Sequence, residues 1–320
     1  MDILIIKLGA LGDVVNTLPL AIRLKQHFDA RIHWITEPLS FPLLSRHAFI
    51  DHAILFDRSL LRKSLPELIR RIRREHFDIA LDLQRIAKSA LICLASSSRR
   101  RIGFDRMRCK EMTWLLPFER IAPSDPSSHM VNQYLEFAEH LGIKREEPQW
   151  AVPQGDAPST ELPEKYLVLN IGATKPANRW NAEGFSALAD RVMDRYDIPC
   201  VLTGGREDRA LADGIIRTAK HPVFDLVGRT TIMELTGVLS GARAVVSCDT
   251  GPMHLAVALG KEVVALFGPA DPKRTGPYRG HVVRKSLPCV PCNRRSCSNP
   301  LCMDSILPED VIEKLDLIMR

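Results

Sequence analysis

Ile3-Leu4-Ile5-Ile6-Lys7-Leu8, followed by Gly9-Ala10-Leu11-Gly12-Asp13, is the stretch from which the fold class is read. Six residues, apolar except for Lys7, form a strand with no polar face, as expected in a parallel sheet covered on both sides. The glycines let the backbone turn sharply and let a ligand approach it. An amphipathic helix then runs from about Val14 to His27, and Arg31 to Thr36 is the next strand. Strand, glycine turn, helix and strand in this order open a Rossmann-like sheet.

The same alternation continues outward. Pro66 to His76 reads as a basic helix, Ile79 to Leu83 as a buried strand and Met130 to Leu141 as a helix. Lys144 to Pro163 is rich in Pro, Glu, Gln, Asp and Ser without periodicity, which marks an interdomain linker. A second α/β series follows. Its strands are Tyr166–Ile171, Pro199–Thr203, Phe224–Leu226, Ala244–Cys248 and Glu262–Phe267. Its helices are Asn181–Tyr196, Arg206–Ala219, Thr231–Gly241 and Pro252–Leu259. The expected division is 1–150, 151–306 and a C-terminal helix in 307–320. A chain of 320 residues suits two such domains better than one core. Two Rossmann-like halves place a ligand in the central cleft they face, at the carboxyl ends of the strands.

Apolar residues at 45% and charged residues at 26% exclude a largely disordered chain. The start, Met1-Asp2-Ile3, has no basic leader and no cleavage site after its apolar run. The longest membrane candidate, Ser89 to Ser98, is serine-rich and falls well short of the ~18 apolar residues of a spanning helix. A cytoplasmic protein is expected, touching a membrane without crossing it. The net charge of +6 is unevenly spread: Arg58 to Lys110 holds fifteen Lys or Arg against five Asp or Glu. Such a patch fits an anionic partner, or else a solvated helix face. Few aromatics interleave with it, so single-stranded nucleic acid is disfavoured, and no duplex-binding motif is present.

Three loops at strand ends carry candidate chemistry. In Gly9–Asp13, Asp13 reads either as a helix N-cap or as a general base facing the cleft. Gly-x-x-Gly-Asp does not match Gly-x-Gly-x-x-Gly, which argues against a nicotinamide cofactor and a dehydrogenase. In Ser247-Cys248-Asp249-Thr250-Gly251-Pro252-Met253-His254, the N–H groups of Thr250 and Gly251 and the Thr250 hydroxyl would meet a diphosphate at a helix N-terminus. His254 would donate to a phosphate or sugar oxygen, or would be a satisfied structural group. In Gly172–Trp180, Thr174, Lys175 and Arg179 would neutralise a leaving diphosphate, unless the loop is merely solvated.

These loops lie within a longer set of motifs. The set is Ile5–Val14, Asp82-Leu83-Gln84 with Lys88-Ser89, Arg179-Trp180, Gly204-Gly205 with Glu207, Leu226-Val227-Gly228, Ser247–His254 and Phe267-Gly268-Pro269-Ala270-Asp271-Pro272. In order and spacing they resemble glycosyltransferase family 9, the ADP-heptose lipopolysaccharide heptosyltransferases, over nearly the whole chain. The resemblance implies the GT-B fold and metal-independent, inverting transfer of heptose from ADP-heptose to a lipopolysaccharide inner-core acceptor. It implies acceptor binding by the N-terminal domain and donor binding by the C-terminal one. Asp13 then falls on the family's catalytic base. Thr250, Gly251 and His254 fall on the donor diphosphate, Asp249 on the sugar and Glu207, or its neighbour Asp208, on the ribose. Arg62 and Lys63 resemble acceptor-phosphate contacts. An anionic glycolipid acceptor implies peripheral contact with the cytoplasmic face of an inner membrane. One departure stands out: where the family often has Lys-x-Trp this chain has Asn178-Arg179-Trp180, so Lys175 or Arg179 must supply that charge.

Of the eight cysteines, Cys93, Cys200 and Cys248 read as reduced core residues, and Cys109 as reduced. Cys289, Cys292, Cys297 and Cys302 have the spacing C-x₂-C-x₄-C-x₄-C, which can hold zinc or an iron–sulfur cluster. The short span is unlike a zinc ribbon, so free thiols are the favoured reading and no cofactor is expected beyond the donor. The alternative functions are a family 9 transferase with another donor or acceptor, and a non-catalytic nucleotide- or nucleic-acid-binding protein.

Overall fold

The structure is a computed structural model that describes residues 1–319. It divides into two units, Met1–Pro153 and a second that begins at Gln154. Local ties explain the division. His47 Nε2 bonds the Trp150 carbonyl at 2.8 Å within the first unit, and the Asp156 N–H donates to Met233 in the second.

The first unit runs β1 (Asp2–Ile6), α1 (Leu11–Phe28), β2 (Arg31–Thr36), α2 (Phe41–Ser45), β3 (His52–Leu55) and α3 (Leu61–Arg74). It continues β4 (His76–Asp82), α4 (Ala87–Ala95), β5 (Ser97–Gly103), β6 (Glu119–Arg120) and α5 (Met130–His140). The second runs β7 (Leu167–Asn170), α6 (Ala182–Tyr196), β8 (Cys200–Thr203), α7 (Arg209–Thr218), β9 (Phe224–Asp225), α8 (Ile232–Gly241) and β10 (Ala244–Cys248). There follow α9 (Gly251–Ala258), β11 (Val263–Phe267), α10 (Pro272–Thr275), β12 (His281–Arg284), α11 (Leu301–Asp304) and α12 (Pro308–Ile318).

Each unit holds one six-stranded sheet, ordered β3-β2-β1-β4-β5-β6 and β12-β11-β10-β7-β8-β9. Every pairing is parallel. Renumbered within its unit, the second order is the first one reversed, so both units share the doubly wound topology. The chain reverses direction across the sheet between β1 and β4 in one unit and between β7 and β10 in the other. Outside the carboxyl ends of those strand pairs a crevice opens, which is where such sheets bind ligands. The α/β class with two Rossmann-like units is therefore as the sequence leads one to expect.

The central strands are buried because they have no polar face. Ile3 to Ile6 are wholly buried, as are Leu167 to Leu169 and Val263 to Phe267. In the second unit Trp180 is buried, stacks edge-on to Phe185 at 4.9 Å and donates from Nε1 to the Ile306 carbonyl. The helix α12 packs on α6 of this unit.

Several boundaries differ from the sequence reading. The basic helix begins at Leu61, not Pro66, after a 3₁₀ turn Arg58–Leu60 whose Asp57 carboxylate accepts from the Ser59 N–H. Pro66 lies inside it, where its ring removes the N–H that would bond back to the Arg62 carbonyl. Strands β3, β5, β6 and β12 carry few apolar residues or are short, and periodicity does not reveal them. The serine-rich apolar stretch near residue 90 is α4 leading into β5, whose exposed arginines Arg99 and Arg100 belong to a strand.

Candidate functional site

In the first unit the site is built on the turn after β1. Helix α1 starts at Leu11, its N-cap is Ala10, and no side chain caps it. Asp13 is therefore not the N-cap. Its carboxylate instead accepts from Lys7 Nζ at 3.0 Å and from the Tyr134 hydroxyl at 3.3 Å. The two donors reach it from different elements, β1's end and α5, because α5 packs against α1. The Lys7 side chain is 2% exposed and that of Asp13 38%. One end of the pair is thus sealed in the protein and the other open to a reactant. Burial works against the Lys7 ammonium, but Asp13 and Tyr134 outweigh it and raise its pKa. Burial, with Asp13 beside it, raises that of Tyr134, which keeps its proton to donate. The ammonium also lies 5.2 Å over the Tyr134 ring.

Across the strand reversal, Asp82 ends β4. Burial raises its pKa, while bonds from Ser89, the backbone at Gln84 and Arg85, and the charge of Lys7 act the other way. Lys7 therefore lies within electrostatic reach of both Asp13 and Asp82.

Arg62 and Lys63 sit exposed in the first turn of α3. Lys63 lines a groove of about 460 Å³ with Phe41, Leu55, Leu60 and Arg71. The residue that links this region to the glycine turn is Arg58, paired with Glu37 at 2.6 Å, whose carboxylate lies beside Gly9.

In the second unit, the loops after β7 and β10 flank the strand reversal and bring Lys175, Arg179, Asp249 and Thr250 to one end of one sheet. Asn170, at 1% exposure, is the hub beneath them. Its Nδ2 donates to Ser247 Oγ at 2.9 Å and Thr250 Oγ1 at 3.1 Å, and its Oδ1 accepts from Thr203 at 3.3 Å. The Thr250 hydroxyl is thus tied to Asn170 beneath the loop. Because it is engaged there, α9 has no side-chain cap, and the amides of its first turn keep their capacity for an anion. His254 is buried in that first turn.

The 3₁₀ turn Pro176–Asn178 presents Asn178 to Asp249, Nδ2 to Oδ2 at 3.1 Å. Asn178 Oδ1 is buried and has no partner among the described residues. Arg179 pairs with Asp208 at 2.8 Å, and Asp208 Oδ2 also accepts from the Gly205 N–H. Burial raises the Asp208 pKa despite that bond and that pair. Arg179 is therefore largely spent on a buried carboxylate, whereas Lys175, partly exposed, makes no ion pair among the described residues. Thr174 is exposed on the same loop. Glu207 is exposed and folds over Gly205, where any side chain would collide with its carboxylate. Asp208 is the inward structural member of that acidic pair, and Glu207 the outward one.

Sequence reasoning missed Lys7, Tyr134 and Asn170. For Lys7 and Asn170 a signal existed: a lone polar residue within or closing an otherwise apolar buried strand. Tyr134 carried none beyond helical spacing.

The chain matches the family model described as glycosyltransferase family 9 (heptosyltransferase) over residues 66–303. It is 27% identical over 284 residues to the lipopolysaccharide core heptosyltransferase OpsX of Haemophilus influenzae, covering 86% of this chain and 81% of that protein. It is 26% identical to lipopolysaccharide heptosyltransferase 1 of Pseudomonas aeruginosa, covering 100% of this chain and 98% of that one. Among solved structures, ADP-heptose lps heptosyltransferase II of E. coli superposes with a TM-score of 0.80 at 23% identity, covering 100% of this chain and 98% of that one.

Proposed function

The chain belongs to glycosyltransferase family 9, the heptosyltransferases, and on that premise we propose that it transfers heptose from ADP-heptose to the inner core of lipopolysaccharide. The printed names of its curated relatives supply the acceptor class. The E. coli structure, which itself argues only for the fold, supplies the donor class by its description.

The observation that carries the reading is the Lys7–Asp13–Tyr134 arrangement. A carboxylate is held by two donors on one side and left part-exposed on the other. In the proposed reaction an acceptor hydroxyl attacks the anomeric carbon as the diphosphate leaves from the opposite face, inverting the configuration. Asp13 takes the hydroxyl proton. A carboxylate suffices for this, because the attacking oxygen turns strongly acidic as its new bond to carbon forms. The charge appearing on the departing diphosphate meets the uncapped amides at Thr250–Gly251 and the Lys175 ammonium, so that the transfer itself needs no metal. Glu207 serves the ribose hydroxyls, and Asp249, oriented by Asn178, the sugar. His254, in the first turn of α9, is assigned to the same phosphate.

For the acceptor, Arg62 and Lys63 on exposed α3 are assigned to its phosphates. The first unit also exposes Leu60, Leu61, Leu91, Met107, Met112 and Leu115. Exposed cations and exposed apolar side chains on one unit fit the surface of an anionic membrane. No helix among the described residues is long and apolar enough to cross one. Peripheral contact at the cytoplasmic face of the inner membrane is thus part of the proposal.

A second reading, another nucleotide-sugar donor, is favoured by Asn178. It stands where relatives often carry lysine, and its unpartnered Oδ1 is suited to a sugar hydroxyl. One experiment separates the two: incubate the protein with a truncated inner-core acceptor and a panel of nucleotide sugars, and assign the product by NMR. Heptose transfer from ADP-heptose with inversion is expected. Transfer only from another donor establishes the second reading, and retention of configuration removes Asp13 from its role.

A further inference from the structure

Between the end of β12 at Arg284 and the start of α11 at Leu301 the chain has no helix or strand. A segment of this length needs something to order it. Its apolar anchorage is slight: Leu287 and Val290 lean on the second unit's core, while residues 291–299 are all exposed. Within this segment and at its end stand Cys289, Cys292, Cys297 and Cys302. All four line one cavity of about 470 Å³, together with Pro269, Arg294 and Asn299. The thiols of Cys289, Cys292 and Cys297 lie within electrostatic reach of Cys302. Cys302 is buried in the second unit's core, so one corner of the cluster is rigid.

We infer that these four cysteines form a structural site for one divalent metal ion with tetrahedral thiolate coordination, zinc or ferrous iron. The ligand type and number suit these ions, and the C-x₂-C pair brings two ligands from one turn. All eight cysteines are free thiols in this structure. As the side chains stand, no group of three or more His, Cys, Asp or Glu among the described residues could hold a metal ion, so binding has to draw the four thiolates together. The thiolates ring a cavity, and binding closes it, as is usual for sites that order their own loop. Closure releases the thiol protons and breaks the 3.3 Å bond from Cys297 Sγ to the Asn299 carbonyl. The resulting centre carries a net negative charge, which Arg294 on the cavity wall offsets.

The site has a consequence for the donor loop. The Cys292 and Asn293 N–H groups donate to the Pro269 carbonyl, and the Ala177 N–H donates to the Arg295 carbonyl at 3.2 Å. Ala177 belongs to the turn that sets Asn178 against Asp249. The metal thus braces, from outside, the loop that holds the nucleotide sugar. This second step rests on the donor reading above; the presence of metal does not, so the two fail separately.

The test is elemental analysis of the full chain purified reductively without added metal. One zinc or iron per chain is expected, without acid-labile sulfide. C297S and C302S should lose the metal, while C109S should keep it. Should the serine variants fail to fold, mercurial titration of the wild-type protein must release metal in step with thiol capture. Cobalt replacement must give the intense visible bands of tetrahedral thiolate coordination. Metal loss should raise the donor KM several-fold and leave kcat less affected. A folded, metal-free wild-type protein overturns the site, as does a Cys289–Cys292 disulfide or metal retained by both serine variants. Metal with unchanged donor KM on removal overturns only the bracing.

Discussion

Replacing Asp13 by asparagine keeps the shape of the side chain, removes the base and strips the buried Lys7 of its counter-ion. The two effects have separate sizes. At 3.0 Å and an effective dielectric of about 20, the attraction between the charges is about 5 kcal/mol before desolvation. An exposed pair contributes up to about 1 kcal/mol, whereas breaking a fully buried one costs about 3–5 kcal/mol. Here one partner is sealed and the other 38% exposed, and asparagine still accepts one bond from Lys7. Asp82 supplies part of the lost charge. The expected destabilisation of Asp13→Asn is therefore about 2–3 kcal/mol, intermediate between those limits. Turnover should fall by about 10²- to 10⁴-fold with little change in donor affinity. Urea unfolding and steady-state kinetics measure the two on the same preparation. Lys7→Met added to Asp13→Asn should restore most of the stability, giving a coupling of about 2 kcal/mol, and none of the turnover. The reasoning is refuted if Asp13→Asn keeps more than about a tenth of wild-type turnover, or if the double variant regains activity along with stability.

Three further outcomes are expected. Asn170→Ala leaves Thr203, Ser247 and Thr250 short of a buried partner, costing about 2–4 kcal/mol in urea unfolding and raising the donor KM as the 250 loop loosens. Gly184→Ala drives a methyl group into the Trp180 indole, so it should cost about 1–3 kcal/mol and shift tryptophan fluorescence to the red as the Ile306 bond is lost. Glu119 is held by Arg100 and His140 with its pKa lowered from 4.5 to about 2, so its contribution is complete above 4.5 and vanishes as pH falls through 2. Discounted for the exposure of the pair, Glu119→Gln should cost no more than about 1 kcal/mol at neutral pH, and the gap to wild type should close as the solution is acidified.

The parts of this protein legible from residue order are those governed by neighbours in the chain. Ile3–Ile6, Leu167–Leu169 and Val263–Phe267 announce buried parallel strands because they are apolar at every position, as a strand covered on both faces requires. The turns at Gly9 and Gly251, and the helices after them, follow from backbone preferences within a few residues. From these come the α/β class, two doubly wound units and the loops at their strand ends. Strands such as β5, with its arginines, escape because an edge or half-exposed strand tolerates any composition that pairs.

What lay beyond residue order is which polar groups meet. Asp13 and Tyr134 are far apart in the chain, as are Asn170 and Thr250, and Arg179 and Asp208. They are joined only once sheet order and helix packing are set. That closure changed the roles assigned to them. The first turn of α1 proved to start before Asp13, which turned a supposed cap into the partner of a buried lysine. The ion pair with buried Asp208 occupied Arg179 and left Lys175 without an ion pair among the described residues. Local pattern specifies where a chain turns and which faces it hides. The charge and hydrogen-bond state of a side chain depends on what long-range packing places within about 3 Å of it, and no spacing along the chain encodes that.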